Sequence, residues 1–367
     1  MRILLLSCNT GGGHNSAAAA IRDYCGLHNI ECDTRDALLF VSKFHSVIVS
    51  KGHSFVYRHF PRLFGAGYRY EETHPPRFIY KQMSFGAKKF AAFLKENHYD
   101  AVICTHIFGN MLVTEARKKY GVTTPHYAII TDYSIYPGTD MVDAHRFFIA
   151  AEQLRDIHLR AGLTEDRVVA SGIPVRNAFF NAPSQQEARA NLQLPQNKKI
   201  LLLFSGSIGC GGLHRKAPLL EKQLPDDAHL VIICGHNKRL YRRLKKSCNP
   251  QTTVVGFTDR VAEYMVASDL CITKPGGLST TEMLVLGVPM VLMLAVPGCE
   301  TRNLDLFKRL DVAVGTDDWD EAIRLAAELI RDDQRLSDMR NRIHNFGYPG
   351  GAKVVIDTVL ADLSHRE

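Results

Sequence analysis

Residues 272–303 read ITKPGGLSTTEMLVLGVPMVLMLAVPGCETRN, and the order of apolar runs and glycine turns within them decides the fold. An apolar run, Leu270 to Thr273, breaks at Lys274-Pro275-Gly276-Gly277, a turn too irregular to continue a strand. Ser279, Thr280 and Thr281 then open a helix that ends at Gly287, and Val288 to Leu294 forms a second strand. A helix N-terminus carries roughly +0.5 of an elementary charge and several unpaired N–H donors, so this one suits a diphosphate. Glu282, a short step into the helix, is placed to accept hydrogen bonds from the vicinal hydroxyls of a ribose, which a carboxylate does bidentately. After the second strand, Pro297-Gly298-Cys299-Glu300-Thr301-Arg302-Asn303 sets Glu300 and Asn303 three residues apart. A helix starting there brings both side chains to one face, aimed at sugar hydroxyls. The glycines alone fit any βαβ unit with a solvated acid. The combination of phosphate-type helix start, carboxylate and polar pair points to a nucleotide-sugar.

Outward from this stretch, 367 residues with 46% hydrophobic and 23% charged content suffice for large cores and most naturally form two domains. The net charge of +7 suits an anionic partner without choosing among nucleic acid, phosphorylated ligand and acidic lipid. The nine cysteines are scattered and include no C-x-x-C pair, which reads as reduced cytosolic thiols and not as a disulfide or zinc framework. The apolar run at Ile3 to Ser7 is too short for a signal sequence, and no apolar run reaches 18 residues, so no membrane span is expected.

At the N-terminus, Arg2 to Ser7 is the continuous apolar run of a parallel strand buried on both faces. It leads through Cys8-Asn9-Thr10-Gly11-Gly12-Gly13-His14-Asn15-Ser16 into a helix from Ala17 to Leu27. Three glycines let another molecule approach the backbone, and they set Gly12, Gly13 and His14 at the mouth of the sheet's carboxyl edge. On its own, a histidine in such a turn is more often a cap or a surface residue than a functional one. G-x-G-x-x-G spacing is absent, so this is no dinucleotide fingerprint, and Asp33 and Asp36 alone are weak substitutes for its acidic residue.

From Ala37 to His98 basic residues outnumber acidic ones and aromatics interleave them. A helix over Phe78 to Leu94 would carry Phe78, Lys81, Phe85, Lys88 and Lys89, whereas Pro61, Gly65, Gly67 and Pro75-Pro76 make His53 to Pro76 a partly loose segment. Such a composition suits a membrane interface or stacked nucleic-acid bases, and does not separate them. Further strands are expected at Asp100–Thr105, His126–Thr131, Arg146–Ala150 and Val168–Ala170. Asp132 follows the second of these on the same edge as His14, where it caps the next segment, orients a histidine or binds an acceptor. Residues 181–198, rich in Pro and Gln, read as a linker between domains at 1–180 and 199–346, with a final helix in 347–367. In the second domain Lys199–Phe204 runs into a glycine turn whose Gly206 and Ser207 are candidate phosphate donors.

The sequence resembles GT-B glycosyltransferases that use UDP-sugars, and more narrowly the diacylglycerol glycosyltransferases: plant monogalactosyldiacylglycerol synthase and bacterial diacylglycerol glucosyltransferases. The residues that carry the resemblance are Lys274-Pro275-Gly276-Gly277 with Glu282, Gly287-x-Pro289, Pro297-Gly298-x-Glu300-x-x-Asn303, Gly11-Gly12-Gly13-His14, Thr131-Asp132, Gly172-x-Pro174-Val175-Arg176 and Cys234-Gly235-x-Asn237. Ser205, Ser207 and Cys210 interrupt what is usually a longer glycine run. The resemblance implies an α/β GT-B architecture, two doubly wound, Rossmann-like domains facing across a cleft, with the terminal helix crossing back to the first. It implies inverting transfer of glucose or galactose from UDP-glucose or UDP-galactose to diacylglycerol. His14 would be the catalytic base, and the main chain at Phe257 would hold the uracil edge. No metal or other cofactor is expected. The implied setting is the inner face of the cell membrane, bound peripherally through an anionic lipid surface, with no nucleic-acid partner. Three other readings stay open: a UDP-N-acetylglucosamine transferase acting on a lipid-linked cell-wall precursor, a nucleotide-sugar epimerase, and a non-catalytic nucleotide-binding module.

Overall fold

The computed structural model describes residues 1–9, 12–42, 46, 52, 55–56, 60–74, 77–204, 213–294 and 297–365, without the side chains of 61–62, 72 and 77–80. The chain divides into two compact units, Met1–Asn177 with Tyr348–Glu367, and Ala178–Gly347.

The first unit contains, in chain order, β1 (Arg2–Ser7), α1 (Gly12–Leu27), β2 (Glu31–Asp36), α2 (Leu38–Val41), α3 (Pro61–Thr73), α4 (Arg77–Asn97), β3 (Ala101–Cys104), α5 (Ile107–Tyr120), β4 (His126–Ile129), β5 (Arg146–Ile149), α6 (Arg155–Arg160) and β6 (Val168–Ala170). Its strands pair in parallel in the order β2-β1-β3-β4-β5-β6. Ile3, Leu4, Leu5 and Leu6 are fully buried, as the unbroken apolar run of a strand covered on both faces requires. The strand order reverses between β1 and β3, and ligands of doubly wound sheets bind outside the carboxyl ends of strands at such a point.

The second unit contains α7 (Gln185–Asn191), β7 (Lys199–Phe204), α8 (Leu213–Gln223), β8 (Ala228–Ile233), α9 (Lys238–Ser247), β9 (Thr253–Val255), α10 (Val261–Val266), β10 (Leu270–Thr273), α11 (Gly277–Leu286), β11 (Met290–Met293), α12 (Cys299–Arg309), β12 (Ala313–Thr316), α13 (Trp319–Leu329) and α14 (Asp333–Phe346). Its parallel sheet runs β12-β11-β10-β7-β8-β9 and reverses between β7 and β10. The chain then returns to the first unit as α15 (Ala352–Ser364), whose Ala352, Val355, Ile356 and Val359 join Ile3, Leu5, Ala18 and Ile21 in one core. At this return Tyr348 donates its hydroxyl to the Ile173 carbonyl at 2.7 Å. Gly172 lies beneath its ring with φ +77°, where a Cβ would stand 2.6 Å from the ring. Only glycine satisfies both the dihedral and the space.

Four features differ from the sequence expectation. Helix α1 begins at Gly12 and not Ala17, so Gly12, Gly13 and His14 form its first turn. Strand β2, ECDTRD, was not legible as a strand because it lacks apolar alternation; it is an edge strand held by its parallel pairing to β1. The segment expected to be loose contains α3, which tolerates Pro61 at its start because the first helical N–H groups have no partner in the helix. Residues 181–198 pack within the second unit and do not stand apart as a linker: α7 opens with a Ser184–Glu187 capping box, and Arg189 donates to Asp269 at 2.7 Å and to the Ala267 carbonyl at 2.9 Å. No helix among the described residues is long and apolar enough to cross a membrane.

Candidate active site

At the carboxyl edge of the first sheet, three strand ends converge on His14. Its Nδ1 lies 2.8 Å from the Thr105 carbonyl oxygen, just beyond β3, and 2.9 Å from the Thr131 hydroxyl, just beyond β4. A carbonyl oxygen only accepts, so Nδ1 carries the proton and Nε2 carries the lone pair. A relay of polar contacts joins the end of β1 to the first turn of α1 and the end of β2. Ser7 donates to Asn15 at 2.6 Å, Asn15 to Asn9 at 2.8 Å, and Asn9 to Asp36 at 3.0 Å. His106, which caps α5 by accepting the Phe108 N–H at 3.1 Å, meets the His14 ring edge-on with centroids 4.5 Å apart.

Burial holds the His14 pKa below the ordinary histidine value; the Asp132 charge and the Thr105 carbonyl offset part of that shift. Asp132 is buried and accepts a hydrogen bond from the Tyr136 hydroxyl. Beside this charge, which was not among the roles read from sequence, the hydrogen-bond contacts of His14 Nδ1 come from Thr105 and Thr131. Thr105 was not singled out from sequence, and Thr131 only as part of the Thr131-Asp132 pair, with no role of its own. The available signal was position alone: each is a polar residue immediately after an apolar strand run.

In the second unit the turn after β10 leads into α11 as expected, with Gly276 as its N-cap and no side chain capping the end. The first-turn N–H groups of a helix have no partner within it, an arrangement that suits an anion. The threonines correct the sequence reading. Thr280 and Thr281 are buried, and their hydroxyls donate to the carbonyls of Gly276 and Gly277 at 2.8 and 2.6 Å, so Thr280 braces the turn and does not face phosphate. Ser279, Gly276 and Glu282 remain partly exposed at this end, while Gly277 is buried in it.

Glu300 and Asn303 do share a face of α12, but that face is turned inward. Asn303 is 0% exposed and donates to the Pro275 carbonyl at 2.8 Å; Glu300, 4% exposed, pairs with Lys274. Both therefore hold the 274–276 turn in shape, in place of the expected aim at sugar hydroxyls. The reason is that α12 follows the strand neighbouring β10, which stacks its first turn against that backbone. Gly298, at φ +131°, makes the sharp entry into α12.

Phe257 is 66% exposed beyond β9, and its ring stacks on His236 with centroids 4.2 Å apart. Asn237 uses its side-chain oxygen to cap α9, accepting the Leu240 N–H at 2.9 Å, so that oxygen has a structural task. Gly206 and Ser207, and the side chain of Phe78, lie outside the described residues. On α4, Lys81, Phe85 and Lys88 point outward with Phe85 72% exposed, while Lys89 donates to the Leu39 carbonyl at 3.3 Å. No group of three or more His, Cys, Asp or Glu side chains among the described residues could hold a metal ion.

Two compact units, each built on a six-stranded, doubly wound parallel sheet, define the GT-B class of folds. The same fold occurs in MurG of Acinetobacter baumannii, 15% identical with a TM-score of 0.66, the match covering 98% of this chain and 99% of that one. It occurs also in a UDP-GlcNAc 2-epimerase from Neisseria meningitidis, 14% identical with a TM-score of 0.61, covering 98% and 100%. Residues 14–175 match the family described as monogalactosyldiacylglycerol (MGDG) synthase, and residues 200–297 match the glycosyltransferase family 28 C-terminal domain. The chain is thus similar to MGDG synthases over the first of these stretches and to family 28 glycosyltransferases over the second. A relative from Bacillus cereus, named processive diacylglycerol beta-glucosyltransferase, is 27% identical over 374 residues, covering 100% of this chain and 95% of its own length.

Proposed function

We propose that this chain moves a hexose, glucose or galactose, from the corresponding UDP-sugar to the free hydroxyl of diacylglycerol with inversion at C1, giving a β-glycolipid. The acceptor oxygen attacks C1 while the bond from C1 to the β-phosphate oxygen breaks. The acceptor proton goes to Nε2 of His14, and the bonding electron pair leaves with UDP. The growing negative charge on the diphosphate meets the N-terminus of α11 and the Lys274 ammonium, which supply preorganised donors and positive charge. Glu282 takes the ribose hydroxyls, and the main chain at Phe257 takes the uracil edge.

The observation that carries this reading is the His14 imidazole. Its proton is fixed on Nδ1 by a backbone carbonyl, and its depressed pKa keeps Nε2 unprotonated at neutral pH. The outward face of α4, together with exposed Phe60, Leu63 and Tyr70 near and along α3, supports a peripheral attachment to an anionic membrane surface, on its inner face. The test is transfer from labelled UDP-glucose and UDP-galactose to detergent-dispersed diacylglycerol. His14→Ala is expected to lower turnover by about 10²- to 10⁴-fold, the range for a positioned general base, while leaving UDP affinity intact. Normal turnover by that variant would remove His14 from the chemistry. Acceptor-free turnover of a UDP-sugar by the wild type would favour an epimerase.

A further inference from the structure

The second unit carries a helix whose charge pattern the proposed reaction does not use. Helix α9, KRLYRRLKKS, buries Leu240 and Leu244 and half-buries Tyr241, while Lys238, Arg239, Arg242, Arg243, Lys245 and Lys246 are all exposed. At 3.6 residues per turn these six cations fill an unbroken arc of about 160° along a helix about 15 Å long. Between Asp227 and Asp259 the sequence contains no acidic residue. Among the described residues none of the six forms an ion pair, although exposed cations on other helices do: Lys119 with Glu115, Arg324 with Glu328 and Lys353 with Asp357.

Helix stability does not account for this pattern. Lys238–Arg242, Arg239–Arg243 and Arg242–Lys246 are like-charge pairs four apart, which weaken a helix, and Lys238 and Arg239 sit at the positive end of the helix dipole. A face kept only for solubility would intersperse both signs. The arc is also poor in the aromatic side chains that single-stranded nucleic acid stacks upon, since Tyr241 is turned towards the sheet side. What remains complementary to a flat, rigid, singly signed face of this length is a layer of phosphate headgroups.

We propose that α9 docks on an anionic lipid bilayer, giving the nucleotide-binding unit its own membrane contact in addition to the one proposed for α4. This rests on the reading that the acceptor is a membrane lipid. The helix starts at Asn237, directly beyond β8, so its N-terminal half lies at the same sheet edge as α11 and Phe257, the edge from which a lipid acceptor would be served.

The test is sedimentation with vesicles of phosphatidylcholine alone and of phosphatidylcholine mixed with phosphatidylglycerol. A basic residue near an anionic surface contributes about fivefold to partitioning. The variant Arg239→Gln, Arg242→Gln, Arg243→Gln, Lys246→Gln keeps helix-forming side chains, and is expected to bind the mixed vesicles about 100-fold or more weakly with a shallower salt dependence. Its UDP affinity and its turnover of detergent-dispersed diacylglycerol are expected to match the wild type. Unchanged partitioning of the variant overturns the proposal, as does a wild type that binds neutral and anionic vesicles alike. A wild type that prefers a single-stranded oligonucleotide to anionic vesicles at equal salt overturns it in favour of nucleic acid. Because sedimentation needs no turnover, absence of glycosyl transfer counts against the proposed reaction alone, and absence of a variant effect on binding counts against α9 alone.

Discussion

Replacing Asn303 with alanine separates a residue that shapes the donor site from one that touches the sugar. In the structure its amide donates 2.8 Å to the carbonyl of Pro275, itself buried, in the turn that aims the first N–H groups of α11. Asn303→Ala removes that bond and strands a buried acceptor, at a cost of about 1–3 kcal/mol. In the proposed function both UDP and UDP-hexose present their diphosphate to α11, so the loosened turn penalises them equally. If about 1–2 kcal/mol of the loss falls on binding, both dissociation constants rise by about 5- to 30-fold. Titration calorimetry with UDP and with UDP-glucose measures the two constants, and urea unfolding measures what falls on stability. UDP affinity unchanged beside a clear loss for UDP-glucose would refute the reasoning, because it would mean that Asn303 contacts the hexose.

Two further outcomes concern protons. Burial depresses the His14 pKa and the Asp132 charge raises it, so the acid limb of kcat/KM is expected below the ordinary histidine value of 6.5. Asp132→Asn, by removing the raising influence, moves the limb to still lower pH; a limb displaced upward would contradict the electrostatic role of Asp132. Burial also pushes His126 down to about 3, its ring nitrogens lying 3.2 Å from the Asp143 carbonyl and 2.9 Å from the Asn110 side chain. A depressed folded-state pKa contributes stability that is full above the unfolded value of 6.5 and is lost as pH falls towards 3, by up to about 1.4 kcal/mol per pH unit. Urea unfolding of His126→Gln across that window is expected to show a flatter pH dependence, and an unaltered slope would rule this histidine out as its source.

The elements that build the two sheet edges were legible because their signals are local. Apolar runs such as Ile3–Leu6 and Leu270–Thr273 stop at glycines, and the helices that follow carry their own start and stop residues. Strand β2 escaped notice because an edge strand of charged residues is specified by its neighbour, Arg2 to Ser7, and not by its own periodicity. The roles of Asn303 and Thr280 were misread for a related reason. Asparagine and threonine serve a ligand or a backbone carbonyl with the same atoms, and which of the two they meet depends on partners such as Pro275, far off in sequence but adjacent in the sheet. His14 was found by its glycines, whereas the Thr105 carbonyl that fixes its tautomer belongs to backbone geometry that no residue type encodes.

The return of α15 to the first unit bears on how the protein is made. Val355, Ile356 and Val359 are fully buried against Ile3, Leu5 and Ile21, so the first sheet emerges from the ribosome without the helix that completes its core. At about 5–20 residues per second, synthesis of residues 178–347 keeps that apolar face waiting for roughly ten to thirty seconds. The second unit is continuous in sequence and can close during that interval. A premature stop a few residues before Ala352 would therefore leave the second unit folded and the unit that carries His14 open and prone to aggregate, although the lesion lies at the opposite end of the gene from the histidine.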